Sequence, residues 1–153
     1  MTADDLKRLV REIVEQAVEL KNKHTAEKKA RVNYACIFSQ NQEEYEKLLE
    51  SAHELGPVIK ETPTGPLFHI KDMSTVAGNL RLLKIRAPDK TRPERGDADF
   101  TVSNYLPFKH ANLSRPGFSL ITRKEMEMIE LVDPSFNVRA YFANPPLDKQ
   151  LGL

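Results

Sequence analysis

Apolar residues recur at three- and four-residue spacing near the start of the chain. They occupy positions 6, 10, 13, 17 and 20, which lie on one stripe of an α-helix. Thr2 is a suitable N-cap, and Asp4 and Asp5 follow in the first turn, where the helix dipole favours acids. The polar run at residues 22–29 ends this helix and links it to the main body. Because the outer face mixes acids and bases, we expect the helix to pack on the core or across a dimer rather than on a membrane.

The main body opens with a strand pattern. Residues 31–38 are rich in β-branched and aromatic side chains and are apolar on both parities, which predicts a central strand covered on both faces. Asn41 caps a second helix with Glu44 at the capping-box position, and Gly56 and Pro57 end that helix. Three further strands are predicted at residues 58–62, 67–70 and 80–86.

The same order of elements then repeats. Residues 87–97 hold two prolines, a glycine and alternating charges, which is typical of a surface loop. A strand at residues 99–102 and a short helix at residues 105–113 follow. Three consecutive antiparallel strands are predicted at residues 118–122, 126–132 and 138–142. The pattern therefore predicts an α+β protein made of two βαβββ halves, with an extra N-terminal helix.

This order of elements resembles the vicinal oxygen chelate superfamily, which includes the glyoxalase and bleomycin-resistance proteins. The local likeness is Met-Ile-Glu-Leu-Val-Asp-Pro-Ser-Phe-Asn at residues 128–137, an apolar strand that runs into an Asp-Pro turn. The resemblance covers about residues 31–144 and implies that the two halves curl a mixed sheet into a bowl. It divides the chain into the helix and linker of residues 1–30 and an α+β domain of residues 31–153.

Members of that superfamily hold a metal ion inside the bowl with His and Glu side chains on the first and last strands of each half. By resemblance, those positions are Asn33, Asp99 or its neighbour Asp97, Arg86 and Tyr141 in this chain. A guanidinium cannot ligate a cation and repels it. We therefore expect no metal cofactor, and a bowl in which basic and acidic groups face each other.

Charged residues cluster around the start of the second half. Arg86, Arg92 and Arg95 flank Asp97 and Asp99. Arginine binds planar anions with two parallel hydrogen bonds, so this segment favours a carboxylate or phosphate ligand. Two acids at alternate positions of a strand share a face, which can raise one pKa and create a proton donor or acceptor. The simpler interpretations are solvated ion pairs and a charged sheet edge.

Two other residues complete the candidate site. His69 lies in a short predicted strand, where it is either a ligand-facing imidazole or a half-exposed strand residue. Glu130 is expected to face the enclosed side of its strand and to need Arg123 or Arg139 as a partner. The candidate ligand-binding residues are Asn33, His69, Arg86, Arg95, Asp97, Asp99 and Glu130.

Composition narrows the classes of function. Among 153 residues, 23 Lys and Arg oppose 22 Asp and Glu, a net charge of +1 that argues against nucleic-acid binding. The single cysteine, Cys36, cannot form an intramolecular disulfide, and we expect it to be a small buried strand residue in a cytoplasmic protein. The N-terminus carries acids where a signal peptide needs bases, and no apolar run is long enough to span a membrane.

The sequence therefore predicts a cytoplasmic protein that binds a small anionic metabolite, with catalysis left open. One alternative is a divalent-metal lyase, isomerase or dioxygenase with substituted ligands, namely Asp97 or Asp99, Glu130 and His69. Another is a non-catalytic interaction module that docks a partner through the N-terminal helix or the Pro-rich tail. A homodimer is expected because half-open bowls expose strand edges that pairing protects.

Overall fold

The computed structural model describes all 153 residues, which form four helices and eight strands. The helices are α1 (Ala3–His24), α2 (Gln42–Leu55), α3 (Tyr105–Asn112) and α4 (Leu147–Gln150). The strands are β1 (Arg31–Phe38), β2 (Val58–Thr62), β3 (Gly65–Thr75), β4 (Gly78–Arg86), β5 (Gly96–Thr101), β6 (Phe118–Thr122), β7 (Glu127–Leu131) and β8 (Val138–Asn144).

All eight strands form one mixed sheet in the order β2-β3-β4-β1-β5-β8-β7-β6. In each half the first strand pairs in parallel with the last, β1 with β4 and β5 with β8. The halves join through antiparallel pairing of β1 with β5. The sheet is not closed, so β2 and β6 are its edges. This arrangement confirms the predicted α+β fold of two βαβββ halves with an additional N-terminal helix.

Helix α1 packs on the sheet and contributes to the core. Its buried residues follow the predicted stripe and add Val14 and Lys21 to it. The Thr2 side chain accepts from the backbone of Asp5 in a complete capping box. At Gly96, an added Cβ would lie 2.9 Å from Cδ1 of Ile13 and 2.3 Å from the carbonyl oxygen of Cys36. Helix α1 therefore lies close against the first residue of β5, and the helix and the sheet share one core.

The two faces of the central strands differ in chemistry. On β5, Ala98 and Phe100 belong to the apolar core, whereas Asp97 and Asp99 point to the opposite face. Strand β8 alternates in the same way, with Phe142 in the core and Tyr141 on the polar side. Side chains alternate between the faces of a strand, so one face is packed against helices and the other forms the open side of the bowl.

Several predicted boundaries need correction. Strand β3 continues to Thr75, although its second half was expected to be a connection, because a shift in register between His69 and Met73 breaks the period of two. Strand β5 begins at Gly96, so Asp97 belongs to the strand and not to the loop. Strand β8 runs to Asn144, whose bond to Pro145 is cis, and the unpredicted helix α4 follows.

Candidate functional site

A cavity of 420 Å³ lies on the open face of the sheet, where the two halves meet. We call it the central cavity. Its lining residues come from β1, β2, β4, β5, β6, β7, β8 and the flanking loops. They are Tyr34, Thr62, Pro63, Thr64, Lys84, Arg86, Arg92, Asp97, Asp99, Ile121, Arg123, Met128 and Tyr141. A second, more apolar cavity of 340 Å³ shares Tyr34, Lys84, Asp99 and Arg123 with it and extends to Leu147 and Gln150 of α4.

Four cationic side chains line the central cavity. Lys84 donates a hydrogen bond to the hydroxyl of Thr64, and Arg86 pairs with Asp89 at 3.1 Å. Arg92 donates to the hydroxyl of Tyr141 at 3.1 Å. The guanidinium groups of Arg86 and Arg92 lie 6.0 and 5.8 Å from the ring centroid of Phe38. This aromatic ring helps to hold both guanidinium groups at the cavity.

Arg123 is the least engaged of the four cations. Its side chain is exposed, and its guanidinium donates to the carbonyl oxygen of Thr122 at 3.0 Å. Lys84 is different, because burial lowers the pKa of its ammonium group. Neither the Lys84 ammonium nor the Arg123 guanidinium forms an ion pair with a carboxylate of the protein, so both keep hydrogen-bond donors for an anion.

Two carboxyl groups form the floor of the cavity. Asp97 and Asp99 are 6% and 5% exposed. Burial raises the pKa of Asp97 to about 7, and repulsion from Asp99 adds to the rise. Burial likewise raises the pKa of Asp99 to about 7, although its Oδ1 accepts a hydrogen bond of 3.1 Å from the backbone N–H of Ala143. Both carboxyls therefore change their protonation state near neutral pH.

The two acids differ in their partners. Oδ1 of Asp97 is buried and accepts no hydrogen bond. Arg92, Lys84 and Arg86 are near enough to lower the pKa of Asp97, yet none of them donates a hydrogen bond to it. A gap therefore separates the buried carboxyl from the cations around it.

A chain of polar contacts supports one wall of the cavity. The Tyr141 hydroxyl donates to Glu130 at 2.5 Å, and Glu130 also receives Arg139 at 3.2 Å. Arg139 in turn pairs with Glu94 at 3.0 Å. Burial raises the pKa of the Tyr141 phenol. This chain fixes the tyrosine that holds Arg92, so Arg92 reaches the cavity from its loop in a defined position.

Three of the predicted site residues converge. Arg86, Asp97 and Asp99 all line the central cavity. Glu130 does not line the cavity; it accepts a hydrogen bond from the Tyr141 hydroxyl and has the expected partner, Arg139. The expectation that the acid pair blunts a sheet edge is wrong, because β5 is a central strand of the sheet.

The other three predicted residues lie elsewhere. Asn33 accepts a hydrogen bond of 3.1 Å from the backbone N–H of Asp148, so it binds the first turn of α4. Arg95 binds Glu44 of α2 with two hydrogen bonds of 2.7 and 3.0 Å. His69 is half-buried and lines a separate surface depression next to Gly56, at the end of α2. The structure does not bring these three to the central cavity.

The candidate ligand-binding residues predicted from the sequence did not include Tyr34 and Lys84. Tyr34, rather than Asn33, stands opposite Asp99 across β1 and β5, because the register shifts between Val32 and Tyr34. Lys84 stands opposite Cys36, whose partner on its other side is Asp97. The same parity that places Arg86 on the open face also places Lys84 there, so alternation alone was a signal for it.

The side chains at the resembling positions do not suit a divalent cation. Arg86 carries a positive charge, and the Tyr141 hydroxyl is bonded to Arg92 and Glu130. No three His, Cys, Asp or Glu side chains come together in an arrangement that could hold a metal ion. In particular, His69 does not approach Asp97 and Asp99 at the cavity.

Comparison with known proteins supports the fold alone. The chain matches no protein-family model and no curated protein. None of its helices is long and apolar enough to cross a membrane. A solved structure named "Structural Genomics, Protein EC4020" is similar over 95% of this chain and 89% of that chain, with a TM-score of 0.73 and 11% identity.

Proposed function

We propose that the central cavity binds a small anionic molecule, a carboxylate or a phosphate. One observation carries this proposal: four cationic side chains line the cavity against two carboxyls, whose pKa values are raised to about 7. With both acids ionised the lining has two excess positive charges, and with either acid protonated it has more. The whole chain has a net charge of only +1, so the positive charge is concentrated at this cavity.

The size and shape of the cavity support a metabolite rather than a macromolecule. Cavities of several hundred cubic ångströms accommodate small ligands, and 420 Å³ is within that range. Arg86 and Arg92 present planar guanidinium groups, which suit the oxygen pairs of a carboxylate or phosphate. Asp97 and Asp99 add groups that can exchange a proton near neutral pH, which leaves catalysis open as part of the proposal.

We also propose that the chain is a divergent member of the vicinal oxygen chelate superfamily. The strand order and the parallel pairing of first and last strands in each half support it. Arg86, Tyr141 and the Asp97–Asp99 pair, which the resemblance placed inside the bowl, line one cavity. In this proposal the anion-binding groups have replaced the metal ligands.

The experiment is a thermal-shift screen of the purified protein. Butanedioate, ethyl phosphate and inorganic phosphate are each compared with Mg²⁺, Mn²⁺ and Zn²⁺ at low ionic strength. A ligand at about one hundred times its dissociation constant adds roughly 2.7 kcal/mol of stability. For a chain of this size that corresponds to a rise in Tm on the order of 5 to 10 °C. We expect shifts with anions. A shift with metals alone would favour the metal-enzyme alternative, and no shift with any compound would favour the interaction module.

A pair of variants locates the binding. Arg123→Gln removes an exposed cation that lines the cavity and makes no ion pair, so the fold is expected to stay intact. Arg8→Gln is the matched control, because Arg8 is exposed on α1 and pairs with Asp5 of the same helix, away from the cavity. Anion-induced stabilisation should fall in Arg123→Gln and persist in Arg8→Gln. Equal loss in both variants would contradict binding at the cavity.

A homodimer remains a prediction. The outer edges of β2 and β6 are unpaired, and they expose Ile59 and Leu120. Pairing of such edges would protect their backbone groups. Sedimentation equilibrium gives the mass directly, and a monomer at micromolar concentration would contradict the prediction without affecting the anion site.

A further inference from the structure

The unpartnered carboxyl of Asp97 restricts the chemistry of the ligand. A buried polar atom without a hydrogen bond is costly, and native proteins satisfy nearly all of them. Oδ1 of Asp97 is such an atom, and the Asp97 side chain lines the central cavity. The residue is 94% buried, since its exposed fraction is 6%. The group that satisfies this carboxyl therefore comes from the content of the cavity.

The cations around Asp97 do not supply that group, because the hydrogen bonds that they make go to other residues and none of them reaches the carboxyl. Arg92 is bound to Tyr141, Arg86 to Asp89 and Lys84 to Thr64. Arg139, the neighbour of Asp97 in the β5–β8 register, is held by Glu94 and Glu130. The Asp97 carboxyl and three of these cations, Lys84, Arg86 and Arg92, therefore line the same cavity without bonding to one another.

On this basis we propose that the anion bound in the central cavity also carries a hydrogen-bond donor, a hydroxyl or an ammonium group, which Asp97 receives. The inference rests on the proposed function and names its ligand class: small hydroxy acids, amino acids and their phosphate counterparts. Lys84 and Asp97 both flank Cys36, on β4 and β5. Adjacent strands are about 4.8 Å apart, so the two backbones are about 10 Å apart and their side chains can hold opposite ends of one small molecule.

Asp99 has a different role because it is already bonded. Its Oδ1 accepts the N–H of Ala143, which ties β5 to β8 at the floor of the cavity. Asp97 has no equivalent bond within the protein. The two carboxyls share a strand and a face, so the difference in their partners assigns the ligand contact to Asp97 and a positioning role to Asp99.

The test uses two matched series of probes in isothermal titration calorimetry. The first is butanedioate, 2-hydroxybutanedioate and 2-aminobutanedioate; the second is ethyl, 2-hydroxyethyl and 2-aminoethyl phosphate. Within each series the anion is kept and only the donor changes. A donor that meets a buried carboxylate is expected to improve affinity at least tenfold over the unsubstituted anion. The hydroxyl and ammonium arms show which donor the site takes.

The variant Asp97→Ala, which removes both acceptor oxygens of the carboxyl, provides the second half of the test. It should lose the preference for the ammonium or hydroxyl compound while it still binds the unsubstituted anion, and that retained binding shows that the variant is folded. If the native protein binds all members of a series equally, water satisfies Asp97 and the inference is wrong, although the proposed function stands. Persistence of the preference in Asp97→Ala would also overturn it. If no member of either series binds, the proposed function fails first and the inference fails with it.

Discussion

Arg139 is the register partner of Asp97 across strands β5 and β8, yet its guanidinium binds Glu94 and Glu130 instead. The cation opposite Asp97 on the adjacent strand is therefore bound to other carboxylates. Asp97 stays buried without an ion pair, and the three cations across the cavity influence its pKa without bonding to it. An active or binding site often keeps such a group at a cost in stability.

That cost predicts how stability depends on pH. Burial raises the pKa of Asp97 to about 7 in the folded protein, whereas an unfolded aspartate titrates near 3.9. The folded state therefore binds the proton more tightly, and Asp97 reduces the free energy of unfolding as pH rises from about 4 to 7. The penalty is fully present above pH 7 and is of the order of 4 kcal/mol.

Replacement of Asp97 by Asn should remove this penalty. We expect Asp97→Asn to be more stable than the native protein at pH 8 and to differ little from it at pH 4, as measured by urea unfolding. Asp72→Asn, at an exposed position of β3, is the control and should show no such trend. A variant that is less stable than the native protein at pH 8 would contradict the assignment.

Cys36 reports on access to the floor of the cavity. Its thiol is buried beside Asp97, and burial followed by repulsion from Asp97 raises its pKa. We expect no reaction of the native protein with an aromatic disulfide reagent at pH 8, and complete reaction in denaturant. Because the chain has one cysteine, the signal has a single source. Rapid labelling of the native protein would mean that the cavity floor opens to solvent.

The ion pair between Glu44 and Arg95 is expected to stabilise the first half. Burial opposes ionisation of Glu44, but the hydrogen bonds from Arg95 and from the backbone of Gln40 outweigh it and lower the pKa. A lowered pKa contributes stability above the unfolded value near 4.3, and the contribution is lost as pH falls through the folded value. Glu44→Gln should therefore cost about 1 kcal/mol at pH 7 and less at pH 3. Glu43→Gln is the exposed control on the same helix.

Lys21 connects the end of α1 to the segment that enters β1. Its ammonium group is buried and donates to Asn22 at 2.8 Å and to the carbonyl of Glu27 at 2.5 Å. Lys21→Met keeps the length of the side chain and removes the donors, so we expect a loss of about 1 to 3 kcal/mol. Thermal unfolding against Lys28→Met, an exposed lysine in the same segment, measures the difference. Greater stability of Lys21→Met would show that hydrophobic packing alone suffices there.

The sequence predicted the fold well because its elements are locally consistent. The stripe of α1, the cap at Asn41 and the turns between short β-branched runs each identify one element. The repeated order of elements then identified the two halves. Helix α4 was missed because four residues after two prolines carry no periodic pattern.

The site was predicted only in part, and the misses have physical causes. Asn33 was chosen over Tyr34 because alternation along β1 is interrupted by an irregularity that a sequence does not reveal. Arg95 and Arg92 belong to the same loop, yet only Arg92 reaches the cavity, since Glu44 of α2 holds Arg95. Which of the two arginines reaches the cavity depends on Tyr141 and Glu44, partners that lie more than 40 positions away in the chain.

The most direct test of the anion site is charge reversal at Arg86, measured by calorimetric titration with butanedioate and ethyl phosphate. We expect one site per chain in the native protein and at least a tenfold weaker affinity in Arg86→Glu, with a smaller loss in Arg86→Met and none in Arg8→Glu. Circular dichroism and a cooperative melt establish that each variant is folded. Unchanged affinity in a folded Arg86→Glu protein would contradict the central claim that this cavity binds anions.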